Sequence, residues 1–196
     1  MATKSGALAW VLTSLEVMQE YLTSLGITTD DGVIQRMISA MSSAVYEYLN
    51  RNVLLSGSVV EKQDGNGKQI LITREYPVTA ISSIVANGQV IPASSDGYSQ
   101  AGYIFHDTSI HLIGMVFPEG RSNVTISYTA GYAAGSRQLA VLEQAVLEWA
   151  AVRYRERGHI GEESKNMQGM VVSYTQKDMP GAVKLMLATY ERQTGF

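Results

Sequence analysis

The stretch Val124-Thr125-Ile126-Ser127-Tyr128-Thr129-Ala130-Gly131-Tyr132 decides the fold, because the periodicity of the chain changes there. Its first five residues alternate apolar and polar side chains, the pattern of a half-buried β-strand. Ala130-Gly131 follows, and a glycine allows a positive φ and a close approach of the backbone. After Ser136 the apolar residues recur at helical spacing. The stretch therefore predicts a structural corner between the last strand of a sheet and a long helix.

Beyond this corner, the sequence predicts a long helix over residues 136–157. Ser136 suits the N-cap position, the basic residues near Arg157 suit the negative end of the helix dipole, and Gly158 ends the segment. Its apolar face consists of Leu139, Leu142, Val146, Trp149 and Ala150.

The C-terminal part of the chain contains a loop and a final helix. Residues 158–178 are rich in glycine and polar residues and have no sustained period, so we predict a mobile loop with a short strand at Met170 to Tyr174. A last helix over residues 179–196 follows, with Asp178 as its cap and Pro180 in its first turn, where proline is tolerated.

Upstream of the corner, residues 53–130 contain short alternating segments separated by turn signals. Asn87-Gly88 is a strong hairpin signal, and Asp64-Gly65-Asn66-Gly67 is a second turn cluster. Closely spaced strands without helices between them favour antiparallel pairing. We therefore predict an antiparallel β layer over residues 53–130.

The N-terminal residues 1–52 predict a helical hairpin. Thr13 and Glu16 match a capping box, Gly26 ends the first helix, and Asp30 and Asp31 can cap the second. The fold class predicted from all segments is α+β: a helical bundle of an N-terminal αα-hairpin, a long helix and a C-terminal helix, with an inserted antiparallel β layer. Residues 1–196 then form a single domain.

Composition excludes several classes of function. The chain has 196 residues, a formal net charge of −3 and no cysteine, so it lacks the basic surface of a phosphate-binding protein and any disulfide or thiolate chemistry. Charged residues make up 17%, below the ~25% of ordinary soluble domains, which indicates surface buried in a partner or sister subunit. No apolar run approaches the ~18 residues of a membrane span, so we expect a soluble intracellular protein.

Residues that carry chemistry are sparse. His106 and His111 are five positions apart in a strand region, so we expect them on opposite faces, as hairpin residues facing solvent. Asp107 beside His106 leaves open a metal site or an acid–base pair. No Gly-x-Ser-x-Gly motif is present, and we predict no catalytic residue, no metal and no cofactor.

The distribution of basic residues carries more information. No lysine or arginine lies between Arg74 and Arg121, so most of the β layer cannot clamp phosphate. Arg153, Arg155 and Arg157 cluster at the end of the long helix, either as a solvated helix end or as a polar contact with a partner.

The order of these elements resembles the head–tail connector (adaptor) proteins of long-tailed bacteriophages and prophages, and the resemblance spans nearly the whole chain. It rests on phrases at Leu15 to Leu22, Tyr48 to Arg51, Tyr76 to Val78, Ile81 to Ile84, Tyr128 to Tyr132 and Met179 to Val183. The resemblance marks as structural motif residues Tyr128, Ala130, Gly131, Tyr132, Tyr154, Arg157 and Pro180.

The resemblance implies a structural virion protein that is not an enzyme. It would form an adaptor ring of twelve copies beneath the portal protein, extend the DNA channel and bind the next neck or tail protein (a stopper or tail-completion protein). Double-stranded DNA would pass through it without specific binding, and no membrane would be involved. The location implied is the head–tail joint of the virion, after assembly in the host cytoplasm.

Segment 158–178 and the last helix are the candidates for docking onto the portal. The docking residues implied are the apolar Met179, Leu187, Tyr190 and Phe196 and the polar Arg192. Two alternatives stay open: another neck or tail-completion protein attached lower down, and a small virion-associated hydrolase that uses His106, Asp107 and a serine.

Overall fold

The computed structural model describes residues 10–157, 164–167, 170–173 and 179–191. The chain divides into two compact units: Met1–Arg51 together with Gly135–Phe196, and Asn52–Ala134.

The first unit contains the helices. They are α1 (Leu15–Ser24), α2 (Asp31–Tyr48), α3 (Arg137–Glu156) and α4 (Gly181–Leu187), the last followed by a 3-10 turn at Ala188–Tyr190. Helices α1 and α2 pack on α3 around one apolar cluster, and α4 also packs against α3. The cluster consists of Met18, Leu22, Ile34, Ile38, Leu147, Ala150, Ala151 and Tyr154.

Polar side chains fix where these helices begin. Asp30 caps α2 by accepting a hydrogen bond from the backbone N–H of Val33 at 3.1 Å, and Ser136 caps α3 at Leu139 at 3.3 Å, as predicted. The predicted capping box at Thr13 is wrong by one residue, because Ser14 is the N-cap of α1. The Thr13 hydroxyl instead donates to Glu143 Oε1 on α3 at 2.9 Å. This tertiary contact uses the hydroxyl that the local pattern assigned to the helix cap.

The second unit contains seven strands among the described residues. They are β1 (Gly57–Gly65), β2 (Ile70–Ile72), β3 (Val78–Ala86), β4 (Gln89–Ile91), β5 (Gly102–His106), β6 (Ser109–Ile113) and β7 (Gly120–Ala130). They form a four-stranded sheet in the order β1-β7-β3-β4 and a three-stranded sheet in the order β2-β6-β5, and every pairing is antiparallel. Buried side chains from both sheets form one cluster that includes Ile84, Ile110, Phe117 and Ile126.

The two predicted turns have different roles. Asn87 and Gly88 both have a positive φ and close the hairpin between β3 and β4, as their sequence indicates. The turn at 64–67 instead carries the chain from one sheet to the other, because β1 pairs with β7 whereas β2 pairs with β6.

A separate hairpin lies in the predicted loop region. Strand β8 (Ser164–Met167) pairs antiparallel with β9 (Met170–Ser173), which matches the strand predicted from Met170 and adds a partner that was not predicted. The remainder of segment 158–178, including Asp178, lies outside the described residues. Pro180 occupies the N-cap of α4 without a side-chain hydrogen bond, one position before the helix rather than in its first turn.

The predicted fold class, a helical bundle with an inserted antiparallel β layer, is wrong. Within the described residues, seven strands form two antiparallel sheets in one unit and the four helices belong to the other unit, so the sheets are not a layer inserted in a helical bundle. The physical reason is that the two sheets bury their apolar faces in a cluster of their own. A β layer needs a helical bundle to cover it only when it has a single sheet with one apolar face.

Candidate functional site

The strand-to-helix corner begins at Tyr128, whose side chain is buried near the end of β7. The phenol donates a hydrogen bond to Glu61 Oε2 at 3.1 Å and accepts one from the backbone N–H of Glu75 at 3.1 Å. Burial raises the pKa of the Tyr128 phenol well above its usual value, and the nearby Glu61 charge adds to the rise. Tyr128 is therefore neutral at physiological pH and joins two segments of the β unit.

The two carboxylates around Tyr128 are buried and satisfied by neutral donors. Glu75 accepts hydrogen bonds from Asn52 Nδ2 at 3.0 Å and from the backbone N–H of Val53 at 3.1 Å. Glu61 accepts from the backbone N–H of Arg74 at 3.3 Å and from the Gln63 side chain. Because their lone pairs bind backbone and amide donors, these carboxylates hold the chain together rather than present an acid or base to a substrate.

Gly131 follows with a φ of +102° in a position that no larger residue fits. A Cβ atom there would lie 2.6 Å from the Leu55 carbonyl oxygen. The Gly131 N–H donates to the Pro77 carbonyl at 3.0 Å, and Tyr132 N–H donates to the Leu54 carbonyl at 2.7 Å. Buried Ala130 precedes the glycine and pairs with strands on both sides of β7. The corner is thus a backbone crossing, and the role of its residues as a family motif stays a prediction.

Tyr154 and Arg157 lie together at the end of α3. The Tyr154 side chain is buried and its hydroxyl donates to the Thr28 carbonyl at 3.0 Å, in the loop between α1 and α2. The Arg157 guanidinium lies 3.7 Å from the centre of the Tyr154 ring, a cation–π arrangement, and donates to the Tyr154 carbonyl. These contacts close the C-terminal end of α3 on the helical hairpin.

The predicted docking residues differ in accessibility. Met179 and Leu187 are 7% and 0% exposed, so both side chains belong to the interior of this fold and offer no surface. Tyr190 is half-buried, and Arg192 and Phe196 lie outside the described residues. Leu185 is 80% exposed on α4, and sequence reasoning missed it. The sequence spacing indicates this exposure, because Leu185 lies two positions from Val183 and from Leu187 and so falls on the opposite side of a helix from both.

The prediction that His106 and His111 lie on opposite faces is wrong. The chain reverses between β5 and β6, and the two rings meet edge to face with their centres 5.1 Å apart. Ser109 Oγ lies 3.0 Å from His111 Nε2, so the serine of this hairpin pairs with His111 and not with His106. Asp107 uses its backbone carbonyl to accept from Val78 N–H at 2.8 Å.

Other chemical sites were sought in the described part of the chain. Within it, no three histidine, cysteine or acidic side chains come close enough to hold a metal ion. No helix there combines the length and apolarity needed to cross a membrane.

The described residues thus build packing contacts, and one large apolar side chain, Leu185, is exposed on α4. A model of the head completion protein family matches residues 11–193. The chain belongs to the head completion protein family, which confirms the prediction of a structural protein of the virion at the head–tail joint. No curated protein matches the sequence.

Solved structures share the fold. One is described as the neck of an empty gene transfer agent (GTA) particle computed with C6 symmetry, with a TM-score of 0.59, 17% identity, and coverage of 100% of this chain and 97% of that one. Another is the neck of a native GTA particle computed with C12 symmetry, with a TM-score of 0.58, 17% identity, and coverage of 97% and 95%. A third, the virion of a native GTA particle, has a TM-score of 0.59 and 15% identity and covers 98% and 95%.

Proposed function

We propose that the chain forms an adaptor ring of twelve copies beneath the portal, where it extends the DNA channel and joins the head to the tail. The observation that carries this proposal is the family match over residues 11–193, which includes both units of the fold. The GTA necks computed with C6 and with C12 symmetry support a closed ring, which a head-to-tail interface that closes by rotation produces, and a ring of twelve copies is compatible with both symmetries. The protein acts by assembly and not as an enzyme.

The test is electron microscopy of a lysate from a phage or prophage that lacks the gene. We expect DNA-filled heads without tails beside free, complete tails, because each half assembles but the joint is missing. Normal infectious virions would contradict the proposal.

The portal docks, in this proposal, on the exposed side of the C-terminal helix α4. Leu185 supplies the accessible apolar anchor, and Arg192 and Phe196 follow it in sequence. Deletion of residues 178–196 is a poor test, because it also removes the buried Met179, Val183 and Leu187.

A single substitution tests the docking surface more sharply. Leu185→Asp places a charge on the exposed side and should abolish portal binding in a pull-down while leaving the circular dichroism spectrum and melting temperature unchanged. Lys184→Ala, at an exposed neighbour on the same helix, lowers the charge by the same one unit and is the matched control for charge alone. Full portal binding by the Leu185 variant would show that the docking surface lies elsewhere.

Another position in the neck is the structural alternative. A tail-completion protein would bind the tail tube and not the portal, so pull-downs with the two purified partners separate the alternatives.

The Ser109–His111 contact is the observation that most favours the hydrolase alternative. A nucleophilic serine needs a base that a third group orients, and within the described residues no carboxylate hydrogen-bonds His111. His106→Ala and His111→Ala should therefore leave assembly and infectivity intact. Loss of a lytic activity from virions that still assemble would support an enzyme instead.

A further inference from the structure

The loop over residues 92–101, between β4 and β5, is closed tightly at its base. Ser94 N–H donates to the Tyr103 carbonyl at 2.9 Å, and Tyr103 N–H donates to the Pro92 carbonyl at 2.9 Å. The two chain segments cross at Gly102, where a Cβ atom would lie 2.6 Å from the Ser94 nitrogen. The loop therefore leaves the sheets and returns to them at a fixed base, where its two ends are hydrogen-bonded to each other.

Inside the loop, one carboxylate organises the backbone. Asp96 Oδ1 accepts hydrogen bonds from the backbone N–H groups of Tyr98, Ser99 and Gln100 at 3.1, 3.1 and 3.0 Å, and the Ser94 hydroxyl donates to it at 3.2 Å. The Ser99 hydroxyl, followed by the backbone amides, lowers the pKa of Asp96 well below its usual value, so the carboxylate is ionised at neutral pH.

This framework presents Tyr98 to solvent. Its side chain is 80% exposed, although tyrosine is a large and largely apolar residue. A rigid loop with an exposed aromatic ring has already lost the conformational entropy that binding would otherwise cost. Such aromatic anchors dominate the energetics of protein interfaces.

A second surface, the outer face of the four-stranded sheet, carries an exposed apolar side chain and a positive charge, which complement Tyr98 and Asp96 of the loop. Along the edge strand β1, Val60 is 70% exposed and Lys62 is exposed two positions further on the same face. On the adjoining strand β7 the register places Ser127 beside Val60 and Thr125 beside Lys62. The patch is thus an apolar side chain, two hydroxyls and one positive charge.

The loop does not suit nucleic acid. It contains no basic residue, since no lysine or arginine lies between Arg74 and Arg121, and its one charge is the carboxylate of Asp96. The loop and the β1 patch carry opposite charges, because the loop contains Asp96 and the patch contains Lys62.

We propose that the 92–101 loop of one copy docks on the β1 edge of the four-stranded sheet of the next copy, with Tyr98 against Val60 and Asp96 facing Lys62. The β1 edge is preferred to Val90, which is equally exposed, because β4 is the strand from which the loop itself emerges and offers no opposite charge. The contact is head-to-tail and can close into a ring. The inference rests on the proposed ring and assigns one of its interfaces.

The absence of cysteine makes a direct test possible. Val60→Cys and Tyr98→Cys would be expressed as separate full-length chains, mixed during assembly in a gene-deleted phage and treated with a short bis-maleimide. The linker is needed because the tyrosine ring separates the two backbones beyond the reach of a disulfide. We expect a cross-linked dimer from the mixture and none from either variant alone.

A matched control uses Ile72→Cys in place of Val60→Cys. Ile72 is 55% exposed but lies on β2, in the other sheet, so its mixture with Tyr98→Cys should not cross-link. Each chain carries a single cysteine, so no cross-link can form inside one copy. A dimer with Ile72 and not with Val60 would overturn the proposal.

Substitutions provide a second readout. Tyr98→Ala and Val60→Ala should each weaken self-association about tenfold, and the double variant should be about tenfold weaker rather than a hundredfold, because both remove one contact. Lys62→Glu should weaken it as well, through repulsion of Asp96. Head–tail joining, measured on the same particles, separates the proposed contact between copies from the proposed adaptor function. Joined particles without the cross-link would contradict the contact but not the adaptor function. Loss of joining in Tyr98→Ala particles with unchanged self-association would show that the loop binds a different protein.

Discussion

At the scale of single residues, the hydroxyl of Tyr128 makes the hydrogen bonds that join the end of β7 to two other segments of the β unit. It lies between Glu61 and the backbone of Glu75, and both of these residues are buried. Removing a partner from a buried polar group costs more than the hydrogen bond itself contributes, because the group left behind is no longer solvated.

Tyr128→Phe is therefore expected to lower the free energy of unfolding by about 2 kcal/mol at neutral pH, the usual cost of leaving a buried polar group without its partner. Urea denaturation followed by tryptophan fluorescence and circular dichroism measures the change. A variant as stable as the wild type would show that the hydroxyl contributes nothing to the corner.

The same residue predicts how stability depends on alkaline pH. The folded-state pKa of Tyr128 lies above the unfolded value near 10, so stabilisation by the neutral phenol is complete below about pH 10. It is lost as the pH rises towards the folded pKa, by about 1.4 kcal/mol per pH unit for one proton. The stability difference between wild type and Tyr128→Phe should thus narrow above pH 10. A difference that stays constant to pH 12 would contradict the raised pKa.

Two glycines with positive φ provide a matched pair. At Gly131 a methyl group would meet the Leu55 carbonyl, whereas at Gly135, with a φ of +76°, nothing lies within 4 Å of it. Gly135→Ala should cost about 1 kcal/mol from backbone conformation alone, and Gly131→Ala about 3 kcal/mol or more because a clash is added. Equal melting temperatures for the two variants would show that the corner relaxes around the methyl group.

At the scale of elements, local chemistry decides where helices begin. Ser14→Ala should destabilise the protein by about 1 kcal/mol through loss of the α1 cap, and Ser14→Asp should restore it. Thermal unfolding of the three proteins measures this effect. An unchanged melting temperature in Ser14→Ala would indicate that α1 is held by packing alone.

The comparison of Thr13 with Ser14 shows what could be predicted from the sequence. Helices α2 and α3 followed from their apolar stripes and from Asp30 and Ser136, because these signals act within one turn of the chain. The choice of Ser14 over Thr13 could not be predicted, since it depends on Glu143, which is 130 residues away.

Strand pairing shows the same limit more strongly. The hairpin at Asn87-Gly88 was predicted because the turn itself favours it. The pairing of Gly57 with Ala130 and of Ile70 with His111 depends on long-range packing of two apolar faces, which no local pattern specifies. For that reason the separate core of the sheets, and with it the fold class, was missed. The contact between the two histidines was missed for a local reason: His106 and His111 were treated as residues of one strand, although the chain reverses between them.

The candidate site was predicted unevenly for the same reason. The corner residues Tyr128 to Tyr132 are recognisable because glycine at a strand end has few structural explanations. Four of the five predicted docking residues were chosen for their apolar character. Met179 and Leu187 among them face inward, whereas Leu185, which was not predicted, is exposed.

At the scale of the whole molecule, the low content of charged and basic residues fits the proposed channel through which DNA would slide. The net charge is −3, and the long interval without lysine or arginine removes most of the β unit from phosphate binding. Affinity for duplex DNA depends on the number of phosphates that basic side chains neutralise.

The protein is therefore expected to bind duplex DNA more weakly than about 10 µM at physiological salt, with affinity that falls further as salt rises. Fluorescence anisotropy with a labelled duplex measures this binding. Nanomolar binding at physiological salt would contradict a channel that DNA traverses freely.

The architecture of the 92–101 loop has an evolutionary consequence. Tyr98 contributes only its backbone N–H to the framework held by Asp96, and its ring takes no part in it. Any residue except proline can keep that amide, so a single codon can change the exposed side chain without disturbing the fold. The side chain that contacts another protein can therefore change while the residues that hold the loop stay the same. A single mutation at position 98 can thus change which protein the loop binds.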